Sequence, residues 1–242
     1  MRNLVIDIGN TRIKSALFEG LEIIEEQSLI YMDELIQQTS NWDFDHVIVS
    51  SVRWSSQELG LMLPFDFLFL DKETLFPVKN QYQTPHTLGL DRLAAAIGAF
   101  SSAGKGPVLS IDLGTCITYD FINEQESYLG GGISPGMQMR FRAMHEQTAR
   151  LPLINFDLER GTPELVGANT LDGMKSGVYF GIKNEIEGII NQYLGNHQDL
   201  EVFICGGDAK FFESLTKDHI FVIPNLVLHG LNRILIYNVN KN

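Results

Sequence analysis

The sequence predicts an α/β protein of two related halves, each a mixed β-sheet flanked by helices. Short β-type runs open the chain and then alternate with helical stretches, the order that builds such sheets. A pattern of strand, Asp, apolar residue, Gly and polar residue occurs twice, at Asp7-Ile-Gly-Asn10 and, 105 residues later, at Asp112-Leu-Gly-Thr115. Between the copies lies Ser101-Ser-Ala-Gly-Lys-Gly-Pro107, a small, flexible, proline-ended segment suited to a linker. The halves are therefore expected to span residues 1–104 and 105–242.

The elements follow in order. Leu4–Ile8, Ile13–Phe18 and Glu22–Leu29 read as an antiparallel meander. A helical segment near Met32–Gln38, a strand at His46–Ser51, another helical stretch and a strand through Phe67–Leu70 complete the first half. The alternating Phe65, Phe67 and Phe69 suit a half-buried strand. From Leu90 to Ala103, apolar positions 90, 93, 94 and 97 form the stripe of an amphipathic helix. In the second half, Val108–Asp112 and Ile117–Ile122 read as strands joined by a Gly turn. A Gly-rich loop is expected at Gly130–Gly136, helices around Met137–Arg150 and Asn169–Tyr193, a strand at Glu201–Cys205 and a terminal helix through Leu226–Tyr237.

Composition narrows the function. With 242 residues, 44% apolar and 20% charged, the chain has the balance of a globular protein rather than of a disordered one or a fibre. Eighteen Lys and Arg against thirty Asp and Glu give a net charge of −12, which repels nucleic acid and anionic membranes; neither partner is expected. Cys116 and Cys205 have no metal-ligand spacing with a neighbour. The opening run Leu4-Val-Ile6 is too brief for a signal peptide, and no apolar run approaches the roughly 18 residues of a membrane span. A cytoplasmic location is expected.

Asp7-Ile-Gly-Asn-Thr-Arg-Ile-Lys14 sits where one strand ends and the next begins. Gly9 permits a tight turn in which backbone N–H groups and the Thr11 hydroxyl converge on an anion, Lys14 adds a positive charge, and Asp7 suits a hydrated Mg²⁺. A single such motif is most simply a β-hairpin, but its recurrence at Asp112 suggests two acidic turns facing each other across a nucleotide cleft. Gly206-Gly207-Asp208 after a strand permits close backbone approach to a base or ribose, or is an ordinary turn. A Walker motif fails: five residues separate Gly98 from Gly104-Lys105, and Gly106 replaces the Ser or Thr; no GxGxxG opens a helix. Gly89-Leu-Asp91-Arg92 begins a helix, where Asp91 either stabilises the N-terminus or acts as a base while Arg92 holds an anionic substrate. None of the six histidines has metal spacing or an assigned role. Met137, Met139 and Met144 fill a core or line a subunit surface.

Together these motifs resemble the type III pantothenate kinase family, within the acetate kinase, sugar kinase, Hsp70 and actin superfamily. Asp7-Ile-Gly-Asn-Thr11 with Lys14, Tyr82 with Gly89–Arg92, Ile111–Thr115, Gly130–Gly136, Gly167-Ala-Asn-Thr170 and Cys205-Gly-Gly207 carry the likeness across essentially the whole chain. The resemblance implies two ribonuclease H-like domains and ATP-dependent phosphorylation of pantothenate to 4'-phosphopantothenate, the first step of coenzyme A synthesis. It implies ATP binding by Asp7, Ile8, Gly9, Asn10, Thr11, Arg12, Ile13 and Lys14, and by Thr115. Pantothenate would be bound by Tyr82, Gly89, Leu90, Asp91, Arg92 and Thr170, with Asp91 as proton acceptor. Asp112 would hold a monovalent cation, potassium or ammonium, beside ATP with Mg²⁺, and the active species would be a homodimer. Leu90 and Cys116 depart from the family's usual small residue and Ala. A related small-molecule kinase would keep Asp7 and Asp112 but not Tyr82 with Gly89–Arg92, and a noncatalytic nucleotide-sensing accessory protein would share the fold without needing Asp91.

Overall fold

The structure is a computed structural model that describes residues 1–157, 161–215 and 217–241. β1 (Arg2–Ile8), β2 (Ile13–Glu19) and β3 (Glu22–Leu29) form the expected meander, followed by α1 (Met32–Thr39), β4 (His46–Ser51), α2 (Ser56–Met62) and β5 (Leu68–Phe69). A two-residue β6 (Lys79–Asn80) and α3 (Leu90–Ala103) close the first half. The second half runs β7 (Val108–Leu113), β8 (Cys116–Ile122), β9 (Ser127–Pro135), α4 (Met137–Glu146), α5 (Thr170–Leu194), β10 (Glu201–Cys205), β11 (Ile220–Val222) and α6 (Leu226–Val239).

The first sheet has the order β3-β2-β1-β4-β5, and the second β11-β10-β7-β8-β9-β6. Read from the other edge and without β6, the second repeats the first strand for strand. In both, an antiparallel meander supplies three strands and parallel neighbours extend the sheet beyond the first of them. The duplication seen in two short motifs therefore extends to whole sheets.

Strand periodicity places the acids. Alternate residues of a strand point to opposite faces, so Leu4, Ile6 and Ile8 enter one core with α1 and α2, while Val5, and with it Asp7, faces the other way. Likewise Leu109, Ile111 and Leu113 face α5, while Val108, and with it Asp112, faces the layer of α3 and α6. That central layer is shared. The helix of each half lies on the opposite sheet: α3 on β7, β8 and β10, and α6 on β1, β2 and β4. The helices cross at Gly98 and Gly230, where a Cβ on either would run into the partner's backbone.

Three expectations are corrected. The Gly130–Gly136 stretch is mostly strand rather than loop, because Gly130 to Pro135 pair with Phe121 to Cys116. Close backbone approach favours glycine there: a Cβ on Gly131 would collide with the Tyr119 carbonyl. The helix begun at Met137 ends at Glu146 instead of reaching Arg150. Ser101–Ala103 belong to α3, which stops at Gly104 in the left-handed conformation, φ 77°. No described helix is long and apolar enough to cross a membrane.

Candidate active site

The β1–β2 hairpin pairs Ile8 with Ile13 and turns through Gly9–Arg12, closed by a 3.0 Å bond from the Gly9 N–H to the Arg12 carbonyl. Ile8 and Ile13 are fully buried, so they present only backbone to the turn, whereas Asn10, Thr11 and Arg12 are exposed. Directly across the ladder from Asp7 stands Lys14; on the other side, the parallel register sets Ser50 beside it. In the second hairpin, Leu113 pairs with Ile117 and the turn is one residue shorter, so Asp112 faces Thr118, with Cys205 on its other side. Thr115 lies exposed at that tip. Gly206, at φ 96°, folds over the site; a Cβ there would lie 2.5 Å from the Asp112 carboxylate, so only glycine fits.

The central layer brings the carboxylates within electrostatic reach of one another. Burial pushes the Asp7 carboxyl up to about 6, Asp91 and Asp112 push it further in that direction, and Ser50 and Lys14 oppose them. Burial likewise raises Asp112; Lys14 works against it, and Asp91 and Asp120 reinforce it. Asp7 and Asp112 thus share one ammonium, and Asp91 acts on both. Such crowding of like charge is costly and marks the place as a candidate site for a charged ligand.

Among the described residues, no three acidic, His or Cys side chains converge tightly enough to form a coordination sphere by themselves. The hard oxygens of Asp7 and Asp112 instead suit ions that take most of their ligands from water and phosphate, as Mg²⁺ does.

Asp91 is exposed in the first turn of α3, its Oδ1 accepting from the Arg92 N–H at 2.9 Å. Arg92 is already paired: its Nε and Nη2 donate to Asp120 at 3.2 and 2.7 Å, and the residue is 8% exposed. Tyr82 is delivered from the first half by β6, which pairs with β9. Its ring sits over Gly130, where a Cβ would lie 2.6 Å away, and beside Arg92, 6.0 Å from ring centroid to guanidinium carbon. Thr170 opens α5 at an exposed position, after Asn169 caps the helix by accepting from the Asp172 N–H at 3.0 Å; among the described residues no hydrogen bond joins Thr170 to the rest of the site.

Comparison with known proteins decides what this arrangement belongs to. The sequence profile of type III pantothenate kinase matches residues 3–192. The chain belongs to that family. A type III pantothenate kinase from Cytophaga hutchinsonii is 42% identical over 237 residues, covering 98% of this chain and 100% of the relative. One from Phocaeicola vulgatus is 41% identical over 241 residues, covering 98% of each. Among solved structures, a conserved Campylobacter jejuni protein of the Baf family of transcriptional activators has a TM-score of 0.65 at 23% identity, over 98% of this chain and 99% of that one. A ROK hexokinase from Thermus thermophilus gives 0.58 at 11% identity over the whole of both chains. These two show the fold alone: the same arrangement of sheets and helices recurs in both. The activity is that of a pantothenate kinase, an ATP-using phosphotransferase of coenzyme A biosynthesis.

Within this pantothenate kinase, sequence reasoning missed Ser50, Asp120 and Tyr128. Ser50 carried no distinguishing signal. Asp120 did: an aspartate inside the apolar run Ile117–Ile122 must be paired if that run is a buried strand.

Proposed function

We propose that phosphoryl transfer takes place in the central layer between the halves 1–104 and 105–242, with the first hairpin and Thr115 holding ATP. Backbone donors of Asn10–Arg12 at the turn, the hydroxyls of Thr11 and Thr115, and Lys14 would meet the phosphates, with Asp7 and Asp112 turned toward the associated cations. Bound Mg²⁺ and a potassium or ammonium ion at Asp112 would neutralise charge on the triphosphate. Tyr82, Gly89–Arg92 and Thr170 would form the pantothenate end.

The chemistry asked of the chain is positioning and proton removal, since phosphoryl transfer draws most of its acceleration from alignment and charge neutralisation. As the substrate hydroxyl oxygen bonds to the γ-phosphorus, the bond from that phosphorus to the ADP oxygen breaks, and the hydroxyl proton passes to Asp91. Asp91 suits this role because it is exposed at the head of α3. The observation that supports the proposal is that Asp7 and Asp112, one from each hairpin, both lie within electrostatic reach of Lys14 and of Asp91 at the head of α3.

We also propose a cytoplasmic homodimer with its interface near the pantothenate end. Leu165, Val166 and Leu171, which flank Thr170, are 71%, 82% and 48% exposed, more apolar surface than an isolated chain needs beside a binding residue. A coupled ATP-consumption assay tests the substrate end: ADP should form only when pantothenate is present. ADP formation indifferent to pantothenate would refute it, as would none with it, the outcome for an accessory protein.

A further inference from the structure

The guanidinium assigned to the substrate's carboxylate already has a carboxylate of its own. Asp120 is completely buried on β8, and its side chain accepts bonds from Arg92 Nε at 3.2 Å, Arg92 Nη2 at 2.7 Å and the Tyr128 hydroxyl at 2.7 Å. Tyr128, on β9, is itself fully buried. Its ring lies 6.2 Å from that of Tyr82, which in turn lies beside the guanidinium. Four segments (β6 with its following residues, α3, β8 and β9) thus meet on one ion pair next to Asp91.

The pairing has two consequences. A guanidinium is a planar fork of five N–H donors, and a carboxylate gripping Nε and one Nη fixes the plane in which the rest point. Asp120 also cancels most of the charge that Arg92 would otherwise offer an acidic substrate. We infer that Asp120 and Tyr128 are positioning residues of the pantothenate end: they orient Arg92 so that its remaining N–H groups, rather than its net charge, select the substrate carboxylate. Tyr82 and Gly130 close the arrangement from the open side. This rests on the proposed role of Arg92 in pantothenate binding.

The inference makes a prediction of sign. Were Arg92 acting by charge, Asp120→Asn would leave that charge uncompensated and tighten carboxylate binding. If Asp120 orients the fork, the same change weakens it. The experiment is steady-state kinetics of wild type, Asp120→Asn and Tyr128→Phe, varying pantothenate and ATP separately, beside a melting curve for each. The expected result is a KM for pantothenate about 10–100-fold higher in Asp120→Asn, the loss typical of a hydrogen bond to a charged group. Tyr128→Phe, which removes one of three bonds, should show a smaller rise, and KM for ATP should stay within about twofold in both. A merely structural role lowers the melting temperature and the active fraction without separating the two KM values. An unchanged or lower KM for pantothenate, or equal rises in both KM values, overturns the inference. If Asp120→Asn does not fold, Tyr128→Phe alone decides by the same criterion. A wild-type protein that consumes no ATP with pantothenate instead overturns the reading beneath, and this one with it.

Discussion

The β1–β2 and β7–β8 hairpins occupy the same place in two sheets of the same strand order, yet differ at one position that matters. Opposite Asp7 the ladder places Lys14; opposite Asp112, after a turn one residue shorter, it places Thr118. The first turn therefore supplies the site's cation. The second supplies an acid whose ladder neighbours are neutral, Thr118 and Cys205; Lys14 reaches it only from the other hairpin, and Asp91 and Asp120 add negative charge. Duplicated backbones have been given unequal electrostatics, and the proposed function assigns phosphate to the first hairpin and a small cation to the second. Asp91 belongs to neither turn and lies exposed at the head of the helix between them.

Four substitutions put this contrast to the test. The largest effect concerns the group outside it. Asp91→Asn should lower kcat about 10²–10⁴-fold, the usual worth of a general base, while stability changes by no more than the roughly 0.3–1 kcal/mol that an acid in the first turn of a helix contributes. A folded variant turning over within about threefold of wild type would leave Asp91 only that helix-dipole role. Next, Lys14→Met should raise KM for ATP about tenfold or more, because the shared ammonium is lost, and leave KM for pantothenate near wild type. Equal changes in both would show that Lys14 does not serve the phosphates alone.

The third prediction is one of stability. Folding raises the Asp7 carboxyl to about 6, so the native state binds this proton more tightly than the unfolded chain does. The stabilisation is present below the unfolded value of 3.8 and lost as pH rises through about 6. Ligand-free protein carrying Asp7→Asn should thus be more stable than wild type at pH 7 by about 1–3 kcal/mol, and nearly equal to it at pH 4. Denaturant melts at the two pH values check this; a variant less stable at pH 7 contradicts it. The smallest effect is on assembly. Sedimentation should give a dimer, and Val166→Asp should shift it toward monomer.

Much of this contrast was legible in the sequence. The Asp-x-Gly motifs mark both turns because glycine and strand-end acids are local signals, and α3 declared itself by its apolar stripe. The lysine itself could be read, but that it stands across from Asp7 while Thr118 stands across from Asp112 depends on turn length and register. β9 was hidden because glycines argue against a strand in isolation, and only close packing on the Tyr119 backbone makes them fit. The pairing of Arg92 with Asp120 and the exchange of α3 and α6 between sheets are long-range facts with no local trace. The buried aspartate within an apolar strand was the one visible hint.

The central claim is that the two turns divide their labour according to the residue facing each acid, and exchanging that residue tests it most directly. The measurement is the ratio of pantothenate phosphorylation rates in potassium and in sodium for wild type and Thr118→Lys. A lysine facing Asp112 would place there the charge that Lys14 gives the first turn, and so take the place of the cation proposed for that site. The account predicts a ratio well above one for wild type and near one for Thr118→Lys. Equal rates in the two salts for wild type, or an undiminished potassium preference in the variant, would contradict it.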